Sequence, residues 1–176
     1  MTMSITPITD ADVSALFNMS LGQAFNTRLQ GGASEPFYAP ATATHPATIY
    51  YREDFLRSAL HEVAHWCLAG SARRALPDYG YWYSDDDRAL AGQSAFFAVE
   101  VRPQALEAAF CEALGIEFRP SADNLSIDIP ELLLKRFSSQ ISECLSRWQR
   151  AGYPDRAGQF LNVLQAYFRD QVGDDR

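Results

Sequence analysis

The chain has 176 residues, 47% of them hydrophobic, with 15 basic against 22 acidic side chains and a net charge of −7. That length suits one domain with a self-supporting core, and the composition excludes a disordered chain. The acidic balance argues against sequence-independent binding to nucleic acid or anionic lipid and suits a cationic substrate.

Met1 to Asp12 is polar and carries acids, without the basic start and apolar core of a signal peptide. No apolar run reaches the roughly 18 residues of a membrane span, so a cytoplasmic protein is expected. From Asp10 to Leu29, Val13, Leu16, Phe17, Leu21, Phe25 and Leu29 recur at helical spacing and predict an amphipathic helix ended by Gly31-Gly32. Glu35 to Thr48, with Pro36, Pro40 and Pro46, reads as a surface loop, and Thr48-Ile49-Tyr50-Tyr51 as a short strand. Glu53 to Ala69 reads as a helix with acids in its first turn and Gly70 past its end. At about 100° per residue, Leu56, Ala59, Leu60, Val63 and Cys67 gather on its core side. His61 and His65 fall on the adjacent flank with Arg57 and Leu68. Tyr79 to Tyr83 reads as a strand or aromatic loop, Asp85-Asp86-Asp87 as a turn, and Gln93 to Val101 as a helix. Pro103 to Leu114 predicts a further helix, begun by its proline and closed by Gly115. Pro130 to Arg150 and Asp155 to Gln171 predict two more. The expected fold is α+β, a single helix-rich domain over residues 1–176 with a small sheet. Cys67, Cys111 and Cys144 lie far apart and are odd in number, which predicts buried thiols rather than a disulfide framework.

Within the helix over 53–69 stands His61-Glu62-Val63-Ala64-His65, an H-E-x-x-H that holds two of the three histidines. Residues i and i+4 share a helix face, so both imidazoles can reach one metal ion. The longer three-histidine form needs glycine and histidine three and six places after His65; Leu68 and Ser71 stand there instead. His45, followed by Pro46, reads as plain surface more than as a ligand. A carboxylate is therefore expected as the third ligand. Glu100, inside Phe96-Phe97-Ala98-Val99-Glu100-Val101, is the best candidate, because a carboxylate in apolar surroundings needs a partner. An ion pair with Arg102 is the alternative for Glu100, while Glu107 and Glu112 are expected to be solvated. Two histidines and a carboxylate suit zinc, with Glu62 as general base on a bound water. They suit non-haem Fe(II) in an oxygenase equally well, although the H-x-D signature of the common 2-oxoglutarate oxygenases is absent. Tyr79, Tyr81, Trp82 and Tyr83 read as core and cleft wall. Beside Asp85, Asp86 and Asp87 they can also hold a long cationic side chain. Arg73-Arg74 is expected to be solvated.

Four blocks together are more specific than the short motif: H-E-V-A-H-W-C at 61–67, D-Y-G-Y-W-Y at 78–83, V-E-V-R-P-Q-A-L at 99–106 and T-R-L-x-G-G-x-x-E-P-x-Y-x-P-A at 27–41. They resemble the elongation factor P hydroxylase family, from about residue 15 to the C-terminal helices. The resemblance implies hydroxylation of a lysine on elongation factor P that already carries a β-lysyl group. It also implies a two-histidine, one-carboxylate site of the non-haem iron kind, and an α+β fold similar to YbeY-type metal-dependent ribonucleases. Carried over residue by residue, His61 and His65 match the histidine ligands and Glu100 the carboxylate. On this reading Fe(II) and molecular oxygen serve the reaction, because zinc is redox-silent and an inert C–H bond needs an oxidising metal. Glu62 then neighbours the centre and hydrogen-bonds or relays a proton. Elongation factor P is the expected partner, with no nucleic acid and no membrane. A zinc-dependent protease or nuclease with Glu62 as base is the alternative, and a catalytically inactive docking module is the third.

Overall fold

The computed structural model describes residues 7–81, 90–123 and 128–173. Helix α1 (Asp10–Phe17) starts in a capping box: Thr9 Oγ1 accepts the Asp12 N–H, and the Asp12 carboxylate accepts the Thr9 N–H at 2.8 Å. A π-helical turn (Asn18–Gly22) continues it, and Val13, Phe17 and Leu21 are buried. The helix expected to reach Leu29 stops short. Asn26 takes a left-handed φ of 47°, and Thr27–Ala33 form strand β1. Thr27 and Leu29 face the core while Arg28 and Gln30 face out, a two-residue alternation that suits a strand. Pairing with β3 outweighs the helical spacing of Phe25 and Leu29.

Strand β2 (Phe37–Ala39) lies inside the stretch expected to be all loop, and β3 (Ala47–Arg52) contains the expected strand. The sheet order is β1-β3-β2. β1 runs parallel to β3 with Leu29 opposite Ile49, and β2 runs antiparallel with Tyr38 opposite Ile49. Side chains close both edges. Asn18 donates to the Leu29 carbonyl and accepts its N–H, at 3.0 and 2.8 Å. Asp78 accepts the Tyr38 N–H at 2.8 Å. Gly31 serves the sheet rather than a helix stop: a Cβ there would lie 2.6 Å from the Tyr51 hydroxyl.

Helix α2 (Leu56–Leu68) packs against β3, α1, α4 and α6. Its core side is as the periodicity predicts, with Ala59, Leu60, Val63 and Cys67 buried, and Trp66 buried edge-on to Phe17 at 5.2 Å. Glu53 and Asp54 precede the helix instead of forming its first turn. A short helix α3 (Ser71–Arg74) and a 3-10 turn (Pro77–Gly80) follow. Where two helices were expected around Pro103, there is one, α4 (Leu90–Ala113). Pro103 deprives the Val99 carbonyl of its usual N–H partner. The helix continues because both halves are anchored by packing. Phe97 stacks on Phe137 of α5 (Glu131–Ala151) at 4.1 Å, and Phe110 meets Phe160 of α6 (Asp155–Gly173) edge-on at 5.2 Å. Each such fully buried side chain contributes roughly 1.5–3 kcal/mol, against about 3 kcal/mol for an interior proline.

Two apolar clusters result: a larger one joining the sheet, α1, α2 and α6, and a smaller one of Phe97, Ala105, Phe137, Ile141 and Cys144. The three cysteines are buried and unpaired as expected, and burial pushes the Cys67 and Cys111 thiols up to about 12. Among the described residues, no helix is long and apolar enough to cross a membrane. Helices around a small sheet agree with the α+β expectation.

Candidate metal centre

Helices α2 and α4 pass each other in opposite directions, because Arg57 and His61 meet Glu107 while His65 meets Glu100. Along α2, Arg57, His61 and His65 recur every four residues and form one stripe. Along α4, Glu100, Gln104 and Glu107 form the facing stripe, all three at most 4% exposed in a mostly apolar helix. The imidazole Nε2 atoms of His61 and His65 lie 3.0 Å apart. Glu100 presents one carboxylate oxygen 3.2 Å from His65 Nε2 and the other 3.4 Å from His61 Nε2. Donors that share one ion at about 2.1 Å sit about 3.0–3.4 Å from each other, from right-angle to tetrahedral geometry. The three side chains thus fit a single divalent ion. Among the described residues they are the one such group of histidine, cysteine and carboxylate ligand atoms, all within 4.8 Å of one another.

The surroundings favour a cation. Burial disfavours charge on His61, but the Glu100 and Glu107 carboxylates outweigh it and hold His61 up to about 10. Burial would likewise raise Glu100, yet His61 and His65, with a hydrogen bond from Gln104, bring it down to about 2. Both shifts have one origin, the mutual attraction of the Glu100 carboxylate and the histidine rings across the α2–α4 seam. Gln104 is itself fixed by two bonds to the Ser121 backbone, at 2.8 and 2.9 Å.

Glu62 is part-buried on α2 between the two histidines. Burial raises its pKa, opposed by His65 and His61 and assisted by Glu100 and Asp78. Tyr81 is 37% exposed with its ring 6.4 Å from His65, and the Arg73 guanidinium lies over that ring at 4.4 Å. Tyr79 does not line the cleft. It is 3% exposed and stacks on Tyr38 at 4.2 Å, because Asp78 and Tyr79 both take left-handed backbone angles that turn its ring inward. Trp82, Tyr83, Asp85, Asp86 and Asp87 lie outside the described residues. His45 is exposed, with its ring nitrogen on Thr44. Glu100 pairs with the histidines, while Arg102 reaches Trp148. Arg74, expected to be solvated, is part-buried and donates to the Ala69 carbonyl at the end of α2.

Glu107 is the main correction. Expected to be solvated, it is 3% exposed, accepts from Arg57 at 2.6 and 2.9 Å, and stands 3.0 Å from His61 Nδ1. The signal that could have found it is the spacing of Glu100, Gln104 and Glu107 on one stripe among Ala105, Leu106, Ala108 and Ala109. Glu112 is exposed, as expected, and accepts from Gln149.

Comparison with known proteins bears on what such a centre does. Residues 16–175 match the family model described as elongation factor P hydroxylase. A Haemophilus influenzae protein named "Elongation factor P lysine hydroxylase" is 40% identical over 158 residues, which span 89% of this chain and 88% of that protein. The match covers most of the chain, α2 and α4 included, so the chain belongs to the elongation factor P hydroxylase family.

Proposed function

We propose that this chain hydroxylates the β-lysylated lysine of translation elongation factor P, with Fe(II) held by His61, His65 and Glu100 and molecular oxygen as co-substrate. The observation that carries the metal assignment is the convergence of those three donors from two buried helix faces. Family membership carries the assignment of reaction and substrate. When bound, iron supplies the redox chemistry that an inert C–H bond requires and that zinc lacks. The protein's part is to hold the donors rigidly, exclude bulk water from the α2–α4 seam and leave one side open to substrate. Glu62, whose pKa burial raises against the pull of His65 and His61, holds or relays a proton beside the centre.

The substrate fits this chemistry. A lysine extended by a second lysyl group brings amino groups, and a net charge of −7 favours their approach. Tyr81 is the aromatic wall at the mouth, and Trp82, Tyr83, Asp85 and Asp86, next along the chain, are proposed to extend it by cation–π contact and charge. The proposed setting is the cytoplasm, with elongation factor P as the partner and neither nucleic acid nor membrane involved. The fold is proposed to be similar to the YbeY type, supported by an H-E-x-x-H helix packed beside a small sheet.

The test is peptide mapping of β-lysylated elongation factor P after incubation with Fe(II) and air, with native protein and with His61→Ala. The native protein is expected to add oxygen at the modified lysine and His61→Ala to add none. Equal product from both would remove the metal assignment, and cleavage of the peptide in place of oxygen addition would favour the zinc-hydrolase alternative.

A further inference from the structure

We propose that Glu107, held by Arg57, is the positioning residue that fixes His61 as a metal ligand, an inference that rests on reading His61, His65 and Glu100 as the metal centre. An imidazole offers a metal only one nitrogen, and the hydrogen bond at the other decides which. A carboxylate accepts and does not donate. Glu107 Oε2, 3.0 Å from His61 Nδ1, therefore places the ring proton on Nδ1. That leaves Nε2, which lies 3.0 Å from His65 Nε2 and 3.4 Å from Glu100, as the ligand atom.

The two histidines differ in their need for such a tether. The His65 side chain is 10% exposed, whereas the His61 side chain is 24% exposed at the edge of the cleft. A ring on that edge can rotate unless something holds its far nitrogen.

Glu107 is in turn fixed. Its other oxygen takes both Nε and Nη2 of Arg57, at 2.9 and 2.6 Å. The guanidinium also donates to the Arg119 carbonyl and lies over the Phe118 ring at 5.3 Å. A simple tie between α2 and α4 would be complete with Arg57 alone. The second oxygen, aimed at a ligand's rear nitrogen, is what a positioning role adds.

The test titrates Mn(II) into the metal-free full chain by calorimetry for the native protein, Glu107→Ala, Glu107→Gln, Arg57→Met and His61→Ala, with circular dichroism as the check of folding. Glu107→Ala is expected to weaken Mn(II) by about 10–100-fold, with Arg57→Met weaker in the same direction. Glu107→Gln, whose amide oxygen still accepts, is expected to recover part of the loss. A second readout is the Nδ1–H proton of His61 by NMR on the Zn(II)-loaded protein. It should be protected in the native protein, move upfield in Glu107→Gln and exchange rapidly in Glu107→Ala. If Glu107→Ala does not fold, Glu107→Gln decides: an unchanged Nδ1–H resonance overturns the proposal. Native-like Mn(II) affinity in Glu107→Ala, while His61→Ala loses binding, overturns it and leaves the centre standing. Native-like affinity in His61→Ala overturns the centre and the proposal together.

Discussion

Glu62 sits three residues before His65, within one helical turn of it, and carries the role that separates the two metal chemistries. As a general base on a bound water it would need its carboxylate free at neutral pH, and its removal would cost about 10²–10⁴-fold in rate. Burial pushes its pKa up and favours the neutral form relative to an exposed glutamate, a direction that a base and a proton relay both use. Glu62→Gln keeps the size and the hydrogen-bonding capacity of that form. It is expected to retain oxygen addition within about tenfold of native, measured as initial rate at saturating Fe(II). A loss of three orders of magnitude would give Glu62 the base's role. At this scale the sequence reached the histidines because their spacing of four is a local property. It reached Glu100 through its apolar neighbours. Glu107 escaped because its partners, His61 and Arg57, stand 46 and 50 positions away, and its one local mark is a shared stripe with Glu100 and Gln104 among apolar neighbours.

Among the elements, α1 and β3 are tied by one hydroxyl. Tyr51 on β3 is buried, donates to Asp10 at 2.7 Å and lies 3.0 Å from the Ser14 hydroxyl. Burial, aided by Asp10 and opposed by Ser14, raises its pKa from 10.0 to about 12. The folded state thus holds the Tyr51 proton more tightly than the unfolded chain does. The stability this contributes is fully present below pH 10 and is lost as pH rises toward about 12. Tyr51→Phe is expected to cost about 1–2 kcal/mol at neutral pH and to make the alkaline decline shallower, both read from urea unfolding across that window. An unchanged alkaline slope would remove this tie. The same contact accounts for a boundary misread from sequence. Gly31-Gly32 has the form of a helix stop, but Gly31 is glycine so that the Tyr51 ring can pass, and the strand identity of Thr27–Ala33 depends on β3, which follows later in the chain. Pro103 misled in the opposite direction: a local breaker was overruled by packing on both of its sides.

At the scale of the molecule, the centre joins two helices that the chain supplies far apart, so an ion there binds the folded state and not the unfolded one. Mn(II) at a hundred times its Kd is expected to add about 2.7 kcal/mol. For a chain of this size that is a rise in Tm of about 5–10 °C, absent in His61→Ala and reversed by a chelator. A rise that persists in His61→Ala would put the ion elsewhere. The α+β class was legible because α2, α5 and α6 keep strong helical periodicity. The strand order β1-β3-β2 was not, because a parallel pair joined across another strand leaves no local mark. The proposed reaction adds an atom of molecular oxygen to elongation factor P. Its most direct test is the intact mass of β-lysylated elongation factor P after incubation with this protein, Fe(II) and isotopically heavy oxygen gas in ordinary water. The expected result is the gain of one heavy oxygen atom. No gain, a light oxygen drawn from water, or a cleaved chain would contradict it.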